Sequence, residues 1–337
     1  MARPTGEGKS KSLRATAEGC PTAYLLYNFD IGGAVLKRHH QDFLTETVLH
    51  ILDTNAEHRV RLVGRASRSG PDRLNDRISQ QRVEAVAAFL ARGRIDRGRI
   101  RTESLGESAP FSTANENEED RSVEVHIEIA RVLNVLLENA WRVRPTAILI
   151  DTTRVALEPL ASRAGRELRI IIGHGILERS ADLGLHFDPG GRETRPCAGI
   201  LILGNEGGGE IYVGAHESLR VCGGPRGDPR DPGGIDYVSQ LEHVFENGEP
   251  EFARFVANTC VHELAHLMAQ VDHTSDPNNF MYSVGSLGAN LPRERRTRET
   301  MRAHWGGRKT FTGQQASAIV CAMQTGNFTG GMRIGGR

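Results

Sequence analysis

The chain has 337 residues, 38% of them hydrophobic and 25% charged, which is enough for two domains with separate cores. Lysine plus arginine and aspartate plus glutamate balance at 42 each, so no net field favours nucleic acid or an anionic membrane. No run approaches the roughly 18 apolar residues of a membrane-spanning helix, and the 38 glycines, concentrated in the second half, predict loop-rich architecture there.

Residues 1–20 are basic, small and polar, without an apolar core segment. They read as a disordered leader and not as a Sec signal peptide, so a cytoplasmic location or export by another route is expected. "GKS" at Gly8–Ser10 lacks the glycine spacing of a phosphate-binding loop. The cysteines, Cys20, Cys197, Cys222, Cys260 and Cys321, form no C-x-x-C pair, so a cysteine zinc site is not expected. Most should be buried free thiols; a Cys197–Cys222 bridge is open to the chain if the protein ends up outside the cell.

Residues 21–130 predict an α+β domain. "TAYLLYNFD" reads as a strand. Residues Val35–Thr54 carry Leu36, Phe43, Leu44, Val48, Ile51 and Leu52 at helical spacing, and "RVRLVG" (Arg59–Gly64) alternates as a strand ending at glycine. Arg73–Ala91 is a second helix, with Leu74, Ile78, Val83, Val86, Phe89 and Leu90 apolar. "RIRTESLG" and "SVEVHIEIA" are further strands, giving β-α-β-α-β-β with two helices on one sheet face.

This half resembles the OmpA-like peptidoglycan-binding domain. Asn75, Ser79, Arg82, Gly106, Glu107, Pro110, Arg121 and Glu124 fall on that family's positions. The resemblance implies a ligand pocket in which a loop aspartate and the helix arginine hold the ammonium and carboxylate of diaminopimelate. Arg82 is retained. Ser67 stands where the aspartate belongs, in Gly64-Arg65-Ala66-Ser67. The arginine could still fork onto a carboxylate, but the desolvated ammonium has lost its partner. Weakened cell-wall binding, or contact with a secretion apparatus, is the expectation.

"RVLNVLLENAWRVR" predicts a short amphipathic connector helix over residues 131–144, leading to Pro145. A second α+β domain is expected over 145–337. "TAILIDTTRVALEPLASRAG" reads as partly helical, and "ELRIIIGHG" (Glu167–Gly175) as a strand. "AGILILGNEGGGEIYVG" (Ala198–Gly214) suggests two strands, either able to bind an extended peptide by backbone pairing. Glu251–Gln270 is a helix, and Phe311–Met323 a last helix with Thr312 as N-cap. The arginine-rich "PRERRTRETMRAHW" reads as a solvated face, because Glu294 and Glu299 dilute its charge.

The chemistry concentrates in "VHELAHLMAQVDHTSDPNNFMYS" (Val261–Ser283). His262 and His266, four apart on a helix, put both imidazoles on one face, where zinc accepts such nitrogens. Glu263 is placed to act as a base on water and not as a third ligand. A continuing helix cannot return a third ligand, so the chain must turn back. The segment resembles the metzincin zinc peptidases, with Met281 as the methionine of their turn. The resemblance implies a Zn²⁺-dependent hydrolase acting on a protein or peptide substrate. Two registers for the third ligand stay open: strict spacing selects Asp272, and alignment of the following segment selects His273. Ala269 stands where the family has glycine, so either the turn uses a conformation alanine tolerates or the helix runs longer. Tyr282 reads as core, Cys222 as a loop cysteine, and His174, His186, His216 and His243 lack ligand spacing.

Overall fold

The computed structural model describes residues 7–16, 19–139, 142–173, 183–187, 248–269, 271–272, 274–282 and 307–328. The chain forms two units: Met1–Ala130 with Gln324–Asn327, and Arg131–Met323 with Phe328–Arg337.

In the first unit, five strands form one sheet: β1 (Lys9–Ala15), β2 (Pro21–Tyr27), β3 (Arg59–Gly64), β4 (Ile100–Ser104) and β5 (Val123–Glu128), in the order β1-β2-β5-β3-β4. Alternation puts Tyr24, Leu26, Val60, Leu62, Val123 and Val125 on one face. Two helical segments cover that face. The first runs through α1 (Arg38–Phe43), a π-wound turn at Leu44–Leu49, and α2 (His50–Thr54). The second is α3 (Asp72–Arg92), which crosses over between the parallel strands β3 and β4. Leu44, Val48, Leu52, Val83, Val86 and Leu90 are fully buried between helices and sheet. Each contributes about 1.5–3 kcal/mol by leaving water. Gly64 ends β3 because α3 passes over it: a Cβ there would run into the Ser79 carbonyl and a Val83 methyl.

The leader expectation is corrected in part. Lys9–Ala15 is an edge strand, antiparallel to β2. Its side chains are mostly exposed, so it reads as unstructured. Its order comes from the backbone ladder, with exposed ion pairs from Lys9 to Glu118 at 2.9 Å and Lys11 to Glu119 at 2.5 Å. Lysines on such an edge also discourage pairing with another chain. Cys20 is disulfide-bonded, against the expectation of free thiols.

In the second unit, three parallel strands form a sheet in the order β7-β6-β8: β6 (Val132–Asn139), β7 (Glu167–Gly173) and β8 (Leu183–Phe187). The predicted connector helix is therefore wrong: residues 132–139 are the central strand of this sheet. A central parallel strand is buried on both faces and reads as a continuous apolar run, which periodicity does not separate from a short helix. α4 (Thr146–Arg163) crosses over from β6 to β7 and packs against α5 (Pro250–Met268). Pro250 and Glu251 start α5 as expected of a first turn. Phe252, Val256, Cys260, Val261, Leu264 and Met268 bury its apolar side. Cys260 is fully buried, and Cys321, on α6 (Gly313–Thr325), is disulfide-bonded. The expected strands within 198–214, the arginine-rich stretch, and Cys197 and Cys222 lie outside the described residues.

Candidate functional site

α5 brings His262 and His266 together as their spacing requires. Their Nε2 atoms are 3.1 Å apart and their rings meet at 77°. His262 Nδ1 lies 2.7 Å from the Phe280 carbonyl, which can only accept, so Nδ1 carries the proton. In the neutral ring Nε2 then carries the lone pair, and it lies within hydrogen-bonding distance of His266 Nε2. Two nitrogens each about 2.0–2.1 Å from a tetrahedral zinc lie about 3.3 Å apart. The pair fits such an ion, and the carbonyl held by the far ring nitrogen is the support a metal-ligating histidine ordinarily has.

The chain does turn back after α5. Ala269 is extended, at φ −150° and ψ 123°, so the helix stops at Met268 and alanine takes the place of glycine without strain. Of the two alternatives for this turn, the longer helix is not the one used. Met281 is fully buried. Its N–H donates to Asn279 Oδ1 at 2.7 Å, and its carbonyl accepts from Thr274 N at 2.8 Å. Phe280, whose carbonyl orients His262, donates its own N–H to Thr310 O at 3.0 Å. Tyr282 is core.

Asp272 is exposed, and His273 and the Glu263 side chain lie outside the described residues. Among the described residues no third His, Cys, Asp or Glu joins the pair.

Sequence reading overlooked Gln315. It accepts from Asn279 Nδ2 at 2.9 Å and from Thr312 N at 3.0 Å, and donates from Nε2 to the Asp272 carbonyl at 3.3 Å. Its own N–H donates to Thr312 Oγ1 at 3.2 Å. Thr312-x-x-Gln315 is the capping-box pattern, so the signal stood in the sequence beside the N-cap that was recognised.

In the first unit, Arg82 is 1% exposed. Its guanidinium donates to three main-chain carbonyls: Gly33 at 2.9 Å, Arg65 at 2.8 Å and Asp30 at 3.0 Å. Burial, then the neighbouring Arg121 charge, push its pKa down to about 9, against the pull of Asp30, and it stays charged at neutral pH. Ser67 donates instead to Glu116 Oε2 at 2.9 Å, and Glu116 is also paired with Arg121. Arg65, the extra positive charge in the loop, is paired with Glu124, which His126 also contacts at 2.7 Å. Burial disfavours the Glu124 charge, but the hydrogen bonds of His126 and Arg65 outweigh it and hold the carboxyl below its ordinary pKa. Arg82 bonds the Arg65 carbonyl, two residues before Ser67, and the Glu116 carboxylate that accepts from Ser67 is already engaged by Arg121.

Residues 28–124 match the OmpA family. The first unit is an OmpA-like domain of mixed α/β architecture. Over 100 residues the chain is 35% identical to "Probable lipoprotein YiaD" of Escherichia coli (strain K12), which covers 29% of this chain and 45% of that protein. The chain therefore spans about half the length of this curated relative. Among solved structures, the peptidoglycan-associated lipoprotein from Burkholderia pseudomallei is 19% identical, with a TM-score of 0.29, covering 31% of this chain and 89% of that one. The cell wall anchor of the T6SS from Pseudomonas aeruginosa is 18% identical, with a TM-score of 0.28, covering 37% and 88%. At these values neither structure carries a functional argument. Among the described residues no helix is long and apolar enough to cross a membrane.

Proposed function

We propose that the chain is an envelope-associated protein. Its OmpA-like unit contacts the cell wall with weakened diaminopimelate recognition, and its second unit holds a zinc ion on His262 and His266. The family match of residues 28–124 supports the first part. The engagement of Arg82 with main-chain carbonyls, and Ser67 in the aspartate position, support the weakening. The disulfide-bonded Cys20 and Cys321 fit an oxidising compartment.

The observation that carries the zinc assignment is the pair of Nε2 atoms 3.1 Å apart with His262 Nδ1 held by Phe280. The exposure of Asp272, whose carbonyl is tied to Gln315, favours His273 as the third ligand. The H-E-x-x-H spacing of His262, Glu263 and His266 supports a finer reading, peptide-bond hydrolysis. Zinc, when bound, supplies Lewis acidity toward a carbonyl and toward water. Glu263, next to His262 on α5, would take a proton from the attacking water and return it to the leaving amine. His262 is kept in the ligating tautomer by its bond to Phe280, and Met281 packs as a buried apolar floor.

The test is digestion of a broad peptide library by the zinc-loaded full chain. Glu263→Ala should retain the metal and lose cleavage. Full cleavage by that variant removes the assigned role of Glu263. Zinc retention without cleavage by the unaltered chain leaves the site structural and the protein a non-catalytic envelope module.

A further inference from the structure

We infer that Gln315 is a positioning residue for the metal centre; this rests on the zinc reading of His262 and His266. Gln315 sits in the first turn of α6, far from both histidines in sequence. Half of its bonding is ordinary capping: its N–H reaches Thr312 Oγ1 at 3.2 Å, and Thr312 N reaches its Oε1 at 3.0 Å. The other half is directed at the segment that leaves α5. Its Nε2 donates to the carbonyl of Asp272, where the returning chain begins, at 3.3 Å. Its Oε1 accepts from Asn279 Nδ2, at 2.9 Å, in the residue just before Phe280.

The consequences pass through two short steps. Asn279 Oδ1 receives the Met281 N–H at 2.7 Å, which fixes the buried methionine. Phe280, between Asn279 and Met281, presents its carbonyl to His262 Nδ1 at 2.7 Å. One side-chain amide thus holds both ends of the return loop and, through Asn279, the carbonyl that orients a ligand. Only an amide does this, because it must donate at Nε2 and accept at Oε1 together. A carboxylate keeps the acceptors for Thr312 and Asn279 but opposes the Asp272 carbonyl. A leucine loses both. Partners of this kind commonly change metal affinity by about ten- to hundredfold.

The experiment uses the full chain, stripped of metal, with Zn²⁺ titrated against a chromophoric chelator and Co²⁺ absorption as a second readout. Gln315→Glu keeps both halves of the capping box, and Gln315→Leu keeps only the main-chain bond to Thr312 Oγ1. The expected result is zinc affinity lower by about tenfold or more in both, with altered cobalt bands and, for Gln315→Glu, an unchanged metal-free melting temperature. Zinc affinity within twofold of the unaltered chain, with the same cobalt bands in both variants, overturns the inference and leaves the zinc reading intact. Affinity lost only together with metal-free stability makes Gln315 a cap alone and also overturns it. If the unaltered chain takes up no zinc, the zinc reading itself falls, and this inference with it.

Discussion

His40 shows how one buried group sets a pH response that composition conceals. It is fully buried, stacked on Phe29 with ring centroids 4.5 Å apart. Nε2 must donate to the Tyr27 carbonyl at 2.8 Å, so Nδ1 is left as the acceptor of the Lys37 N–H at 3.4 Å. A second proton has no place between Nδ1 and that N–H. Burial first, with the Lys37 charge adding to it, lowers the pKa from 6.5 to about 4, although the Tyr27 bond opposes the shift. The unfolded chain therefore takes up this proton near pH 6.5 and the folded chain only near pH 4, so stability falls as pH falls through that window. The loss reaches about 3 kcal/mol at the lower end. Thermal unfolding of the full chain should show it, and His40→Gln should flatten the dependence. An unchanged slope in that variant assigns the effect to other groups. Ser67 is the second residue with a defined outcome. Ser67→Asp combined with Glu116→Gln restores the aspartate without leaving two carboxylates side by side. Co-sedimentation of the full chain with diaminopimelate-containing sacculi should rise severalfold. No change would mean that position 67 does not limit binding.

Elements were legible where periodicity was strong. Strands β3 and β5, helix α3 and helix α5 follow their apolar spacing, and Thr312 caps α6 as its position suggests. Two elements were not. β1 is an exposed, polar edge strand whose order comes from backbone pairing to β2, and hydropathy carries no trace of that pairing. β6 buries the consecutive residues Leu133, Asn134, Val135, Leu136 and Leu137, so both of its faces are covered and no alternation marks it as a strand. The turn after α5 was ambiguous for a different reason. The sequence shows that glycine is missing but not which backbone conformation replaces it. Since Ala269 is extended, Ala269→Gly gains no relief of strain and adds freedom to the unfolded chain. Chemical denaturation should show a loss of about 0.4–1 kcal/mol. A gain in stability would mean that the turn wants a positive φ after all. The candidate site was likewise half legible: the spacing of His262 and His266 and the capping pattern of Gln315 stood in the sequence, but the bond of the Phe280 carbonyl to His262 and that of Asn279 to Gln315 join residues that only folding brings together.

For the whole molecule, an OmpA-like unit and a unit bearing a histidine pair lie on one chain of zero formal net charge. Nothing in that balance attracts a polyanion, which leaves specific sites to define what the protein contacts. The first unit matches the OmpA family over residues 28–124, with Arg82 donating to three main-chain carbonyls and Ser67 donating to Glu116. The second unit brings two imidazole nitrogens to one point, 3.1 Å apart, and bonds His262 to the returning loop. The central claim is that this point holds zinc, and the direct measurement is metal content by mass spectrometry of the full chain after zinc loading and desalting. The account predicts about one zinc per chain, lost in His262→Ala and in His266→Ala while the metal-free fold persists. Absence of retained zinc in the unaltered chain, or equal retention in both variants, would contradict it.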